Sequence, residues 1–242
     1  EIFGHGALCV AVSGRCSMSL FCYNTSANKG KCTQICRRSY IVKDKETGQE
    51  LEIDNNYVMS PKDLCTIGML DKIIDSGVKI LKIEGRGRPP EYVDTVIRSY
   101  KEAVQSIIDG TYTSEKISRW NEDLKTVFNR GLGVGMYMGR RWDEWANGSD
   151  NQARKEKILI GRVLNYYPRI GVVYIKVEGD YSIKEGDEYI ITGSRTGILR
   201  GVFKDMVLDK KDMPKVSQGE EFTMKIEGTA HHNDSVFVFR DR

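Results

Sequence analysis

Val78-Lys-Ile-Leu-Lys-Ile83 runs straight into Glu84-Gly-Arg-Gly-Arg88, and Pro89-Pro90 follows. The first of these segments is mostly aliphatic and reads as a buried strand. The second is a charged glycine loop. Proline suits the first turn of a helix, because its backbone angle is already set and it lacks an N–H that would go unbonded there. The helix it opens carries Val93, Val96, Ile97, Tyr100 and Val104 at helical spacing on one face. Upstream, Ser60-Pro61-Lys-Asp63 offers a capping Ser and a Pro at the first helical position, so a helix is expected from Ser60 to about Ser76, stopped by Gly77. Helix, strand, charged loop and helix make an α/β unit, and in such units ligands bind beyond the carboxyl ends of the strands. Glu84 and Arg86 fall at that place. The plainer reading, an ordinary ion pair among Lys82, Glu84 and Arg86, stands beside the functional one.

Residues 1–60 are loop-rich and carry most of the thiols. Cys9-Val-Ala-Val-Ser-Gly-Arg-Cys16 and Cys32-Thr-Gln-Ile-Cys36 form two compact pairs in a polar, glycine-containing setting. Thiolates are soft ligands, and four of them suit zinc or an iron–sulfur cluster. Packing explains them less well, because Ser13, Gly14, Arg15, Lys31 and Arg37 around them are not core residues. Disulfides belong to oxidising compartments and to small domains in need of staples, and a chain of 242 residues needs none. Cys22, after Leu20-Phe21, and Cys65, at the head of the expected helix, read as packing residues. Between the thiols and Ser60, Tyr40-Ile-Val, Asp44-Lys-Glu-Thr-Gly48 and Leu51-Glu-Ile read as a hairpin.

Residues 111–156 are a mixed linker region. Phe128-Asn-Arg-Gly-Leu-Gly-Val-Gly135 lacks both a preceding strand and the glycine order of a phosphate loop. Trp142, Trp145 and Asn147-Gly-Ser-Asp-Asn151 read as the linker's end. From Lys157 the texture changes to short strands, among them Ile170-Gly-Val-Val-Tyr-Ile-Lys-Val and Ser235-Val-Phe-Val-Phe, divided by turns such as Lys184-Glu-Gly-Asp187. This spacing predicts a small closed antiparallel barrel over residues 157–242. His231-His232 has no further ligands close in sequence and reads as a surface turn.

The formal net charge of +3, from 37 basic and 34 acidic residues, does not by itself indicate nucleic-acid binding. It allows local basic patches at Arg37-Arg38, Arg86-Gly-Arg88 and Arg140-Arg141. No run of about 18 apolar residues is present, so no membrane-spanning helix is expected, and the expected location is cytoplasmic. The chain opens with Glu1-Ile2-Phe3 in what reads as a strand, and the expectation is a piece of a longer protein without its N-terminal part.

Glu1-Ile-Phe-Gly-His-Gly-Ala-Leu-Cys9 with Ser13-Gly-Arg-Cys16-Ser-Met-Ser19 resembles the signature of peptidase family U32. Lys29-Gly-Lys-Cys-Thr-Gln-Ile-Cys-Arg-Arg-Ser-Tyr40 is similar to the family's second Cys-bearing block, and Met59-Ser-Pro-Lys-Asp-Leu-Cys65 and Lys82-Ile-Glu-Gly-Arg86 to two more. The resemblance implies that residues 1–110 are part of a β/α barrel-like catalytic domain. It also implies that residues 157–242 are the barrel of one branch, similar to the second domain of elongation factor Tu. The family name records a collagenase assignment. Its better-understood members resemble iron–sulfur hydroxylases that act on tRNA, ribosomal RNA or the ubiquinone ring without molecular oxygen. The branch with the extra barrel looks like the tRNA proteins that make 5-hydroxyuridine at the wobble position using prephenate. On this resemblance Cys9, Cys16, Cys32 and Cys36 hold a [4Fe–4S] cluster, the substrate is tRNA, and a homologous U32 subunit is a further partner.

Three functions are weighed. A cysteine or serine protease needs a base beside its nucleophile, and His5 is the sole candidate near the thiols. The H-E-x-x-H pattern of many metalloproteases is absent. A hydroxylase uses the thiols better, and an anticodon-loop base is already largely unstacked. Glu84, Arg86 and His5 are its catalytic candidates, with Arg86, Arg88, Arg37 and Arg38 placed to meet phosphates. The alternatives are a collagenase-like peptidase and a non-catalytic RNA-binding protein with a structural zinc.

Overall fold

The computed structural model describes residues 1–11, 14–51, 59–139, 144–148 and 150–242. Arg140-Arg141 and Trp142 lie outside the described residues. The chain divides into two units, Glu1–Gly87 with Thr95–Ala153, and Arg88–Asp94 with Arg154–Arg242.

The first part of the chain is mixed α/β. In order it forms β1 (Ile2–Gly6), α1 (Ser17–Tyr23), β2 (Val42–Lys43), β3 (Glu50–Leu51), β4 (Asp63–Cys65) and α2 (Leu70–Asp75). Then come β5 (Leu81–Ile83), α3 (Pro90–Ile108), α4 (Ser114–Lys125) and β6 (Leu132–Gly133). The hairpin of β2 and β3 is closed by the Asp44 carboxylate, which accepts from the N–H groups of Glu46 and Thr47 at 2.9 and 2.6 Å. The remainder of the expected hairpin, residues 52–58, lies outside the described residues.

The sheet that positions the site has the order β5-β1-β4-β6. β1 runs parallel to β5 and antiparallel to β4, and β4 runs parallel to β6. The helix expected from Ser60 is corrected here. Asp63–Cys65 is a strand, Ile67–Met69 a 3₁₀ turn, and the α-helix begins only at Leu70. The capping signal lost to tertiary pairing: all three β4 residues are buried between β1 and β6, so their backbone groups bond across the sheet. Ser60 is fully buried and accepts a hydrogen bond from Arg37 in place of capping a helix. Gly77 does end α2, at φ +90°. α3 begins at Pro90, as its sequence indicates, but its buried face is Tyr92, Val96, Tyr100 and Ala103, and Ile97 is exposed. α4 is capped by Thr113, whose hydroxyl accepts from the Lys116 N–H, and buries Trp120 completely. The Trp120 indole N–H is satisfied by Glu102 at 3.0 Å, as a buried indole requires.

The second unit is an antiparallel sheet built from β7 (Lys155–Tyr167), β8 (Val172–Val177), β9 (Ile183–Lys184), β10 (Glu188–Gly193) and β11 (Gly197–Val202). It continues with β12 (Val207–Leu208), β13 (Lys211–Asp212), β14 (Lys215–Val216), β15 (Glu221–Lys225) and β16 (Ser235–Asp241). Eight of them pair in the order β11-β10-β16-β7-β8-β15-β12-β13, and β14 pairs with β9. Alternate residues of these strands, including Ile160, Ile175, Ile191, Phe222 and Val236, make one apolar core. Among the described residues no ladder joins β11 to β13, so the closed barrel expected from the strand count is here an open antiparallel sheet. The β12–β13 end consists of two-residue strands. His231 is tied down: its Nδ1 lies 2.7 Å from the Thr196 hydroxyl, which donates to buried Asp234 at 2.5 Å.

Candidate metal centre

β1 and β5 are parallel neighbours, so their carboxyl ends leave the sheet side by side. The Glu84 N–H donates to the His5 carbonyl at 2.8 Å. Gly6 is the residue that permits this approach: a Cβ there would stand 2.6 Å from the Glu84 Cβ, and its φ is +122°. From Gly6 the chain passes through Leu8 to the exposed Cys9. The Glu84 carboxylate accepts from the Arg86 N–H at 2.8 Å, closing the charged loop. The exposed Arg86 side chain reaches toward the second Cys-bearing segment, with Nη1 3.8 Å from where a Gly30 Cβ would stand.

The first segment then turns into α1. Gly14 sits against Asn28, where a Cβ would meet the amide oxygen at 2.3 Å. Cys16 caps α1, its sulfur accepting from the Ser19 N–H at 3.4 Å. The nearby Ser19 hydroxyl, without full hydrogen-bond geometry, and the Ser19 N–H both lower the Cys16 pKa. A shallow pocket of about 240 Å³ opens beside Cys16, lined by Arg15, Leu20, Thr25 and Asn28 among others.

The second segment is a 3₁₀ turn, Ile35–Arg37, packed against α1 and preceded by Gln34 at φ +52°. Arg37 is buried and donates to the Leu8 carbonyl at 2.6 Å, to the Ser60 hydroxyl at 3.0 Å and to the Pro61 carbonyl. Beside it Arg130 bonds Gln34 at 3.1 Å and pairs with Asp63 at 3.4 Å, both charges buried. This corrects the reading of Arg37 as part of a surface basic patch that meets phosphates, because its donors are engaged with interior oxygens. Arg38 is exposed and lies over the Tyr23 ring at 5.5 Å.

All six cysteines are free thiols. Cys9 and Cys32 are exposed, and Cys16 and Cys36 are half-buried. Burial raises the Cys36 pKa most, Arg37 opposes it, and Cys9, Cys32 and Cys16 each raise it further by charge repulsion. The four thiols therefore share one electrostatic neighbourhood. Ser19 and Thr33, one in each segment, bury hydroxyl oxygens with no hydrogen-bond partner. Four soft donors on two segments in contact, with orphaned hydroxyls in each, fit an anionic metal–thiolate group. Among the described residues no three His, Cys, Asp or Glu side chains are arranged to hold a single ion.

His5 and Cys65 are cross-strand partners in β1 and β4, and both are buried. His5 is 2% exposed, with its ring edge-on to Tyr100 at 5.5 Å and its Nδ1 3.4 Å from the Tyr100 hydroxyl. That hydroxyl donates to the Gly4 carbonyl at 2.8 Å and accepts from the Thr66 N–H at 2.9 Å, stitching β1 to the end of β4. Burial pushes the Cys65 thiol up to about 11, so it is neutral at physiological pH and a poor nucleophile. In cluster-free native protein at pH 8, iodoacetamide should label Cys9 and Cys32 and spare Cys65 until the chain is denatured. Peptide mass spectrometry reads the result, and equal labelling of Cys65 and Cys32 would contradict its burial.

The sequence reading missed Arg37, Ser60, Asp63 and Arg130 as parts of the centre. The available signal was slight: the charged pair Lys62-Asp63 directly ahead of the mostly apolar Leu64-Cys65-Thr66-Ile67.

Residues 1–147 match the sequence family described as peptidase family U32. A Porphyromonas gingivalis protein named collagenase is 45% identical over all of this chain, which spans 58% of that protein. The tRNA hydroxylation protein P1 of Bacillus subtilis is 31% identical over 78% of this chain and 45% of its own length. A Geobacillus thermoleovorans structure of a U32 peptidase C-terminal domain aligns with 34% of this chain and 91% of its own, at a TM-score of 0.32 and 14% identity.

Proposed function

The chain belongs to peptidase family U32, and from that premise we propose that it is part of an iron–sulfur enzyme that hydroxylates a tRNA uridine at C5 in the wobble position. The observation that supports this reading is the occurrence of four free thiols in two short segments, residues 9–16 and 32–36, that pack against each other through α1 and the Ile35–Arg37 turn. Cys9, Cys16, Cys32 and Cys36 would hold a [4Fe–4S] cluster. With four thiolates in place such a cluster supplies one-electron transfer or structural support.

Glu84 and Arg86 follow β5, with Glu84 against Gly6 of β1 and the Arg86 side chain beside Gly30. Arg86, exposed and cationic, would bind a phosphate of the RNA or the carboxylates of prephenate as co-substrate. Glu84 holds the loop that aims it. His5 has no exposed face for substrate and would act from behind the site. Residues 157–242, an open antiparallel sheet, would dock tRNA. A homologous U32 subunit would complete the assembly. Among the described residues no helix is long and apolar enough to cross a membrane. A cytoplasmic location agrees with reduced thiols.

Collagenase-like proteolysis is the second reading. By the names of its relatives it is the better supported, since the collagenase matches the whole chain at higher identity than the tRNA protein matches part of it. The geometry favours it less: His5 is buried, and Cys65 beside Tyr100 is a neutral thiol. The full-length protein, purified without oxygen, separates the readings. Roughly four iron atoms per chain and no gelatin cleavage are expected. Gelatin cleavage by cluster-free protein under chelators would return proteolysis to the lead. Stoichiometric zinc without iron would favour the structural-zinc reading.

A further inference from the structure

We propose that Arg37 is the positioning and charge-balancing residue of the four-thiol centre: its guanidinium pins the second thiol segment to the exit of β1, and its buried charge complements an anionic metal–thiolate group. The inference rests on the metal-centre reading above.

The geometry is that of a clamp. Arg37 follows Cys36 directly, and its Nη2 holds the carbonyl of Leu8, the residue before Cys9, at 2.6 Å. Its Nη1 holds the Ser60 hydroxyl at 3.0 Å and the Pro61 carbonyl, just ahead of β4. One planar fork therefore ties together the backbone beside a thiol of each segment and the strand beneath them. A lysine ammonium offers no fixed fork with which to hold the same acceptors.

The charge balance points the same way. Every oxygen that Arg37 contacts is formally neutral. Arg130, close enough to repel it, is matched by Asp63. Among the described residues Arg130 has a carboxylate partner in Asp63, whereas the hydrogen bonds of Arg37 all go to neutral oxygens. Buried charge is ordinarily paired, because desolvation without a partner is costly. The thiols nearest to it in the chain and in its hydrogen bonding are Cys36, its neighbour, and Cys9, which follows the Leu8 carbonyl that it holds. An anionic thiolate set holding a metal supplies the missing charge, and the cation in turn favours addition of an electron to it.

The test compares full-length wild type, Arg37→Lys and Arg37→Met, all purified without oxygen, with circular dichroism as the fold control. Iron retention against a chelator and the midpoint potential in a dithionite titration are the readouts. Arg37→Met should lose iron at least tenfold faster. Its potential should fall by a tenfold change in the one-electron equilibrium, about 59 mV. Arg37→Lys, which keeps the charge, should hold the wild-type potential and still lose iron faster. A folded Arg37→Met with wild-type retention and potential overturns the proposal. If Arg37→Met does not fold, wild-type retention in Arg37→Lys overturns it. Wild type carrying zinc and no iron ends the cluster reading alone. Zinc release to the chelator then decides for Arg37: tenfold faster loss in the variants upholds the clamp, and unchanged loss overturns it.

Discussion

Replacing any one of Cys9, Cys16, Cys32 or Cys36 by Ala should strip most of the iron from full-length protein purified without oxygen. Cys22→Ala and Cys65→Ala should leave it in place. A cluster held by four thiolates loses a quarter of its anchorage with each, and the three that remain expose an iron to solvent and oxidation. The contrast is internal to the chain. The four thiols act on one another through Cys36, whereas Cys65 lies in β4 next to Tyr100 and Asn121. Cys22 is exposed on α1. Iron and acid-labile sulfide assays on the six variants read the result. Full iron in Cys36→Ala, or loss in Cys65→Ala equal to that in Cys36→Ala, would contradict the ligand assignment.

Asp63→Ala should lower the unfolding free energy by roughly 3–5 kcal/mol, because it strands a buried cation. Arg130 and Asp63 are 7% and 1% exposed. With Asp63 gone, Arg130 and Arg37 are left as neighbouring buried cations, and Arg130 keeps Gln34 as a neutral acceptor. A double replacement, Asp63→Leu with Arg130→Met, should recover much of the loss, since apolar residues of similar size often match a buried pair in stability. Urea unfolding measures both. A loss below about 1 kcal/mol in Asp63→Ala would place the pair among ordinary surface salt bridges.

What the sequence discloses of this protein is local, and what it hides is long-range. Pro90 and Gly77 mark a helix start and a helix end because each acts through its own backbone. The Asp44 turn is legible for the same reason, since its side chain bonds residues two and three positions on. The alternation in residues 157–242 discloses strands and which residues face the core. It does not disclose whether the outermost ladders meet. β4 was misread because Ser60-Pro61 is a sound local cap signal, overruled by pairing with β1 and β6 from far along the chain. At the centre, the thiols were visible as a cluster of rare residue types in a short span. The cations beneath them were not, because Arg37 next to Arg38 looks like any solvated basic pair until the fold brings the Leu8 carbonyl and Ser60 to it.

Nucleoside mass spectrometry of tRNA from a deletion strain tests most directly whether the thiol centre serves hydroxylation of tRNA. The 5-hydroxyuridine-derived nucleosides should disappear when this gene and any related gene that covers for it are removed. They should return with the wild-type gene and fail to return with Cys36→Ala. Normal levels of those nucleosides in the deletion strain would contradict it.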